Sequence, residues 1–262
     1  MTPKTALITG GTCGIGLEIA KIHAASGGDL VIVARNLTVL KEVKSKLESE
    51  FKINIHIFQI DLSKSDAGTK LYADIKEQGI EIDYLINNAG IGGYGYFQER
   101  KWSEDVAMMQ LNMISLTELT RLFLSDFINK NSGKILNVSS SAGLMPGPLQ
   151  AVYFATKAYV NSLSYAISQE IENSSVTMTV LMPAPTKTDF VAKSGVGDIK
   201  MFSDLADPFF VAKEGYEGMI AGQLKVISGY TFWQKIRIKL IPFISLKLLL
   251  QMIYKNSKRT ID

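Results

Sequence analysis

From residue 5 onward, short uninterrupted apolar runs alternate with longer amphipathic stretches, and no other feature of the chain restricts its fold as much. Apart from Asn54 and His56 within 53–58, the runs at 5–9, 30–34, 53–58 and 84–87 lack the polar-apolar alternation of a sheet with one wet face. Strands that are apolar on both sides belong to a parallel sheet covered by helices above and below. The pattern then predicts a helix over 103–129, a strand at 134–138, a helix over 151–172, a strand at 176–182, a helix over 208–221 and a strand at 225–228. This βα alternation implies an α/β doubly wound domain with a parallel sheet of about seven strands. Between 184 and 207 the periodicity lapses around Pro185, Gly195 and Gly197, with Phe190, Met201 and Phe202 scattered among them. Such a stretch after a sheet strand is a candidate lid.

Composition narrows the function classes. The 262 residues, 47% of them hydrophobic, suffice for one large core. With Cys13 as the sole cysteine and only His23 and His56, the chain has neither a disulfide pair nor a metal-ligand cluster. A reducing, cytoplasmic setting is expected. The first strand begins at Thr5, so no secretory leader is expected. The net charge of +3 hides an asymmetry: residues 230–262 carry seven Lys/Arg against one acid, so the preceding body is slightly acidic. A nucleic-acid partner is therefore not expected, because binding needs a positive stripe over the folded body.

Directly after the first strand comes Thr9-Gly10-Gly11-Thr12-Cys13-Gly14-Ile15-Gly16, which runs into a helix near Gly14. Glycines there let backbone amides approach a pyrophosphate, and the helix N-terminus adds partial positive charge. A plain strand-to-helix turn is the competing reading. Its place between first strand and first helix favours a dinucleotide and a Rossmann domain, with Gly10, Thr12, Cys13, Gly14, Ile15 and Gly16 as candidate contacts. The second strand ends on Arg35, where an acid would accept the ribose 2′-hydroxyl of NAD; a guanidinium there suits a 2′-phosphate, so NADP(H) is expected over NAD(H). Cys13 stands where a second basic residue would support that preference, so it rests on Arg35 alone. Asp61-Leu62 and Asn88-Ala89-Gly90 follow the third and fourth strands, at carboxyl ends where such sheets bind ligands. Asp61 is equally a helix cap or turn former.

A tyrosine four residues before a lysine on a helix shares its face, and the ammonium favours the tyrosinate. Three pairs meet that spacing: Tyr72/Lys76, Tyr153/Lys157 and Tyr254/Lys258. Only Tyr153/Lys157 follows a strand that ends in serines, Ser139-Ser140-Ser141, of which Ser140 lies 13 residues before Tyr153. Taken in order, the TGxxxGIG loop, Asn-Asn-Ala-Gly, the serine, Tyr-x-x-x-Lys and the proline turn resemble the classical short-chain dehydrogenase/reductase family over roughly residues 5–190. The resemblance implies a catalytic tetrad of Asn112, Ser140, Tyr153 and Lys157. In it, Tyr153 exchanges the proton with a carbonyl or alcohol, Ser140 stabilises the oxyanion, Lys157 lowers the tyrosine pKa and binds the nicotinamide ribose, and Asn112 positions a relay water. It also implies cofactor contacts from Tyr153 and Lys157, and from Pro183, Thr186 and Thr188 after the sixth strand, where Ala184 replaces the family's usual glycine. A homodimer or homotetramer is the implied assembly.

Residues 1–229 form the expected dinucleotide-binding catalytic domain, and 230–262 an amphipathic extension. Charges at Lys235, Arg237, Lys239 and Lys247 exclude a membrane span. Residues 235–240 fit strand or helix. From Ile244 on, a narrow lysine-bearing stripe on an apolar helix fits packing on the domain or a second subunit, or peripheral contact with an anionic membrane through residues 230–255. With Tyr94, Leu144, Met145, Phe190 and Phe202, the tail points to a large apolar carbonyl or alcohol substrate. Two other functions stand beside an NADP(H)-dependent oxidoreductase. A non-catalytic NADP(H)-binding sensor or scaffold would not need a proton donor, and a sugar-nucleotide epimerase or dehydratase is disfavoured by the glycine spacing and the short chain.

Overall fold

A computed structural model describes residues 3–199, 202 and 204–258; Met201 of the expected lid and residues 259–262 of the extension lie outside the described residues. Seven strands, β1 (Thr5–Thr9), β2 (Asp29–Ala34), β3 (Ile55–Gln59), β4 (Tyr84–Asn87), β5 (Gly133–Val138), β6 (Val176–Pro183) and β7 (Lys225–Ser228), form one sheet in the order β3-β2-β1-β4-β5-β6-β7. All six pairings are parallel. The alternation of side chains along each strand splits the core in two. Ala6 and Ile8 of β1, with Leu30 and Ile32 of β2, pack with Ile19, Ala20 and Ala24 of α1 (Gly14–Ala25), Leu40 and Leu47 of α2 (Leu37–Phe51), and Val211 and Met219 of α8 (Pro208–Ile220). On the opposite face Leu7, Val31 and Leu85 meet Leu71 and Ile75 of α3 (Ala67–Glu77) and Phe123 and Phe127 of α5 (Leu116–Asn129). That two-sided burial is the physical reason the strands read as unbroken apolar runs.

The helix expected over 103–129 is three pieces: α4 (Trp102–Met109), a π-helical turn (Gln110–Ser115) and α5. The π-turn follows α4 and precedes α5 without a break, so the sequence reads as one helical run. The helix after β5 is α6 (Ala151–Glu170). Within the lid segment lies the short α7 (Asp189–Lys193), and the segment's ends are pinned together where the Ala206 amide donates to Pro185 O at 2.8 Å and the Lys187 amide to Ala206 O at 2.9 Å.

The strand-or-helix question at 235–240 is settled by α9 (Phe232–Leu240), which opens with a capping box: the Gln234 amide donates to Thr231 Oγ1, and the Thr231 amide to Gln234 Oε1. The last helix, α10 (Leu246–Ser257), buries Leu249, Ile253 and Ser257, one residue per turn, against its own domain. Tyr94 Oη donates to Ser257 O at 2.9 Å and the hydroxyls of Tyr96 and Tyr254 lie 3.0 Å apart, so α10 straps the loop after β4. Among the described residues no helix is long and apolar enough to cross a membrane.

Candidate active site

Strand order reverses at β1, which pairs with β2 on one side and β4 on the other, and a crevice opens at the carboxyl ends of such strands. A cavity of about 1040 Å³ occupies that position. Its wall gathers the strand ends one after another: Gly10, Thr12, Cys13, Gly14 and Ile15 after β1, Arg35 after β2, Asp61 and Leu62 after β3, Asn88, Ala89 and Gly90 after β4, Ser140 after β5, and Pro183, Thr186 and Thr188 at and after β6. Tyr153 and Lys157 of α6 complete it.

Gly10 and Gly14 adopt φ of +65° and +54°, a conformation that favours glycine, and Cys13 at the N-cap of α1 makes no side-chain cap bond. The first-turn amides of α1 therefore meet the cavity without an internal acceptor from that side chain, as a bound phosphate requires. Gly16, expected to touch a cofactor, does not line the cavity. A Cβ on it would fall 2.4 Å from both Asn88 Nδ2 and Gly10 O, so its service is close packing. Asn88 Nδ2 bridges Thr9 O and Gly10 O at 3.0 Å each, while Thr9 Oγ1 accepts the Asn88 and Ala89 amides, also at 3.0 Å. Thr9, which sequence reasoning passed over, thus locks the β1 loop to the β4 loop. Arg35 is exposed at the rim and makes no ion pair among the described residues. Asp61 is held below the usual carboxylate range: burial opposes ionisation, but bonds from the Ser63 hydroxyl and amide and the charges of Arg35 and Lys64 outweigh it. Glycine cradle, uncapped helix and exposed guanidinium together fit a phosphorylated dinucleotide.

Tyr153 is 8% exposed and Lys157 5%. Lys157 Nζ donates to Val138 O at 3.0 Å and sits 5.9 Å from the centre of the Tyr153 ring. Burial pushes the Tyr153 phenol up to about 12 despite its hydrogen bond with Ser140, with the nearby Tyr230 hydroxyl adding to the rise. Burial also brings Lys157 down to about 8. The expectation that Lys157 depresses the tyrosine pKa is therefore not met in this structure, where desolvation by burial dominates at both groups. Ser140 Oγ accepts the Ala142 amide at 3.1 Å, which fixes the 3-10 turn Ser141–Leu144.

Asn112, 1% exposed on the π-turn, lies behind the cavity wall rather than on it. Its Nδ2 donates to Ile91 O at 2.9 Å and Thr156 Oγ1 at 3.1 Å, and its Oδ1 accepts the Ile91 amide at 3.0 Å. With both amide hydrogens committed to protein acceptors, it braces the loop after β4 against α6.

Of the expected substrate residues, Met145 lines the cavity together with Phe190 and Phe202, but Leu144 and Tyr94 do not. The 3-10 turn ends at Leu144 and Met145 is already extended, so the two side chains leave the chain in different directions. Tyr94 is turned to the tail through Ser257. The other tyrosine-lysine pairs lie elsewhere: Tyr72 and Lys76 both bond Asp126, and Tyr254 with Lys258 is in the tail. Residues not anticipated include Gln150, Phe154 and, from beyond residue 229, Tyr230, Thr231 and Gln234. Tyr230 Oη donates to Ser141 Oγ at 2.6 Å, so the start of the extension forms part of the site.

Comparison with known proteins gives the same picture. The very-long-chain 3-oxoacyl-CoA reductase of Rattus norvegicus is 32% identical over 182 residues, 68% of this chain and 58% of the relative. The match thus spans less than two thirds of that relative's length. A short-chain dehydrogenase from Sphingobium yanoikuyae, solved with NADPH, superposes with a TM-score of 0.80 at 25% identity over 99% of this chain and 98% of its own. A metagenomic short-chain oxidoreductase solved with NADP gives 0.72 at 26% identity over 87% and 98%. The family profile of the short chain dehydrogenases matches residues 4–197, and with that match the chain belongs to this oxidoreductase family.

Proposed function

We propose that the chain is an NADP(H)-dependent reductase of a 3-oxoacyl thioester or a similarly apolar ketone. The observation that carries the reading is one continuous cavity that joins the glycine loop and Arg35 to Ser140, Tyr153 and Lys157 and continues along Met145, Phe154 and Phe190. The rat relative's activity supplies the substrate class, and the NADPH- and NADP-bound neighbours support the cofactor.

Gly10, Gly14 and the α1 amides would hold the pyrophosphate, Arg35 the 2′-phosphate, Asp61 the adenine side, and Thr186 and Thr188 the carboxamide end. Bound there, the reduced nicotinamide supplies a hydride to the carbonyl carbon. Tyr153, protonated at neutral pH, gives its proton to the carbonyl oxygen, so a C=O becomes CH–OH. Ser140 steadies that oxygen as charge develops on it. Lys157 contributes positive charge beside the phenol, and Asn112 acts as a positioning residue by fixing the loop after β4. The apolar wall excludes water from the transfer.

For the whole protein we propose a homodimer or homotetramer and peripheral contact of residues 230–255 with an anionic membrane surface. Exposed Trp102, Val106 and Ile114 on α4 and the π-turn give an apolar face for a second copy, and exposed Phe232, Trp233 and Phe243 give one for lipid.

The decisive experiment measures NADPH against NADH binding, then NADPH oxidation with a panel of 3-oxoacyl thioesters and ketones. Tighter NADPH binding that Arg35→Ala weakens, and a Tyr153→Phe enzyme slowed by about 10³-fold or more with cofactor still bound, are the expected results. A phenylalanine enzyme at full rate would refute the mechanism.

A further inference from the structure

The three serines that end β5 take three different partners. Ser139 Oγ donates to Lys157 O at 3.0 Å, Ser140 is bonded to the Tyr153 phenol, and Ser141 Oγ accepts from Tyr230 Oη at 2.6 Å. Ser140 is the last extended residue before the 3-10 turn, with φ of −166° and ψ of 157°. The direction of its side chain therefore depends on how firmly the chain is held on both sides of it. Upstream the sheet and α6 hold it, since the Ser139 amide also donates to Leu181 O at 2.8 Å. Downstream, the bonds of the Ala142 amide to Ser140 Oγ and of the Gly143 amide to Ser140 O are internal to the turn. The far part of the turn lies against α6, because a Cβ on Gly143 would come within 2.6 Å of Lys157 O. Its near part, at the residue next to Ser140, is tied to the C-terminal extension by the Tyr230 hydroxyl.

Tyr230 is itself fixed on either side. Before it, Gly229 turns off β7 with φ of +78° and lies against the two ends of the lid segment, where an added Cβ would fall 2.7 Å from Ala206 Cβ and 3.1 Å from Ala184 Cβ. After it, Thr231 opens α9 with its capping box. Burial raises the Tyr230 phenol above its ordinary pKa, so at neutral pH it keeps the proton that it donates to Ser141. We propose that Tyr230 is a positioning residue for the reduction: through Ser141, its hydroxyl holds the turn that aims Ser140 at the substrate oxygen. This deepens the proposed function and rests on the roles given there to Ser140 and Tyr153. It also brings into the reaction a residue that lies beyond the stretch, 4–197, matched by the family profile. Tyr230 neither gives nor takes the reacting proton. A hydroxyl stabilises developing charge only if it already points where that charge will form, so a turn free to rock would lose rate rather than affinity.

A double-mutant cycle on the full-length enzyme tests this, with Tyr230→Phe, Ser141→Ala and the two combined, NADPH as cofactor, and 3-oxodecanoyl N-acetylcysteamine thioester and 3-decanone as probes. Each single change deletes one end of the same hydrogen bond, and each is expected to lower kcat by about tenfold while the NADPH Kd stays within about twofold of the parent. The double variant should be no slower than the poorer single one, because one bond can be removed only once. Single losses that multiply in the double variant would mean that the two hydroxyls act separately, and would overturn the assignment. A Tyr230→Phe enzyme with kcat within about twofold of the parent overturns it as well, and so does a deficit confined to KM, which marks a direct contact with bound substrate. General loosening of the fold would lower the melting temperature and weaken NADPH binding in step with the rate, and that pattern too rules out a positioning role. Should Tyr230→Phe fail to fold, judged by its thermal transition, Ser141→Ala removes the bond from its other end and is judged by the same limits. A parent enzyme that reduces neither probe refutes the proposed function and this assignment together, whereas an active parent with an uncoupled cycle refutes the assignment alone.

Discussion

At Tyr153 and Lys157 burial acts on two ionisable groups in opposite senses, and the consequence is a pH dependence with a definite sign. The phenol, raised to about 12, keeps its proton throughout the neutral range, and the ammonium, lowered to about 8, begins to lose its charge just above it. Reduction needs a protonated phenol and a positive neighbour, and both conditions hold below about pH 8. Reductive kcat/KM should therefore be level on the acid side of that value and fall as pH rises through it. Oxidation needs the phenol as a base, whose ionised fraction grows about tenfold per pH unit below its pKa, so the oxidative rate should climb over the same interval. Paired pH profiles of the two directions check this. A reductive rate that rises with pH between 7 and 9 would show that a group other than this pair controls proton transfer.

Among the elements, the β1 loop shows why a spacing of small residues can be read in a sequence while its reasons cannot. Gly10 and Gly14 face the cavity, but Gly16 answers to Asn88: an added Cβ would meet Asn88 Nδ2 and Gly10 O at 2.4 Å and split the bridge that ties β1 to β4. Overpacking of this kind costs about 1–3 kcal/mol, so Gly16→Ala should lower the melting temperature by about 5 °C and loosen NADPH binding, since the loop that carries Gly10 must shift. Thermal melts and cofactor titration of the variant check both. An unchanged melting temperature would mean that the loop relaxes freely.

The strand ends were legible for a simple reason: a parallel sheet buried on both faces writes its strands as apolar runs, and its chemistry sits where those runs stop. Arg35, Asp61, Asn88 and Ser140 stand at such ends, Pro183 is implied by the family resemblance, and each lines the cavity. The π-turn under Asn112 is not of that kind, because it sits inside a continuous helical run, Gln110–Ser115, with no glycine, proline or strand end to announce it. Gln150 and Tyr230 were invisible for a different reason. An unpaired amide or a hydroxyl 2.6 Å from Ser141 Oγ is a property of the folded surroundings, set by residues distant in the chain.

On the scale of the whole molecule, the extension faces two ways. Its inner side is used, since α10 buries Leu249 and Ile253 and straps the loop after β4, while Tyr230, Thr231 and Gln234 enter the cavity wall. Its outer side presents Phe232 and Trp233, each 71% exposed, and Phe243, 85% exposed. Lys235 and Lys247 lie close to these rings in sequence, and cations beside exposed aromatics suit an anionic lipid surface. Because α9 begins at the cavity rim, lipid contact there would place the mouth near a membrane-borne substrate. Deleting the tail cannot test this, for deletion would also remove Tyr230 and Gln234 from the site. The informative protein is the full chain with Phe232→Ser, Trp233→Ser and Phe243→Ser. Burying a large apolar side chain contributes about 1.5–3 kcal/mol, so losing three should reduce partition onto phosphatidylserine-containing vesicles by about tenfold or more, even if each ring inserts only partly. Co-sedimentation of parent and variant at low salt measures it. Equal partition of the two proteins would assign the apolar outer face to a second copy of the chain, and light scattering of the same pair would then show the parent larger than the variant.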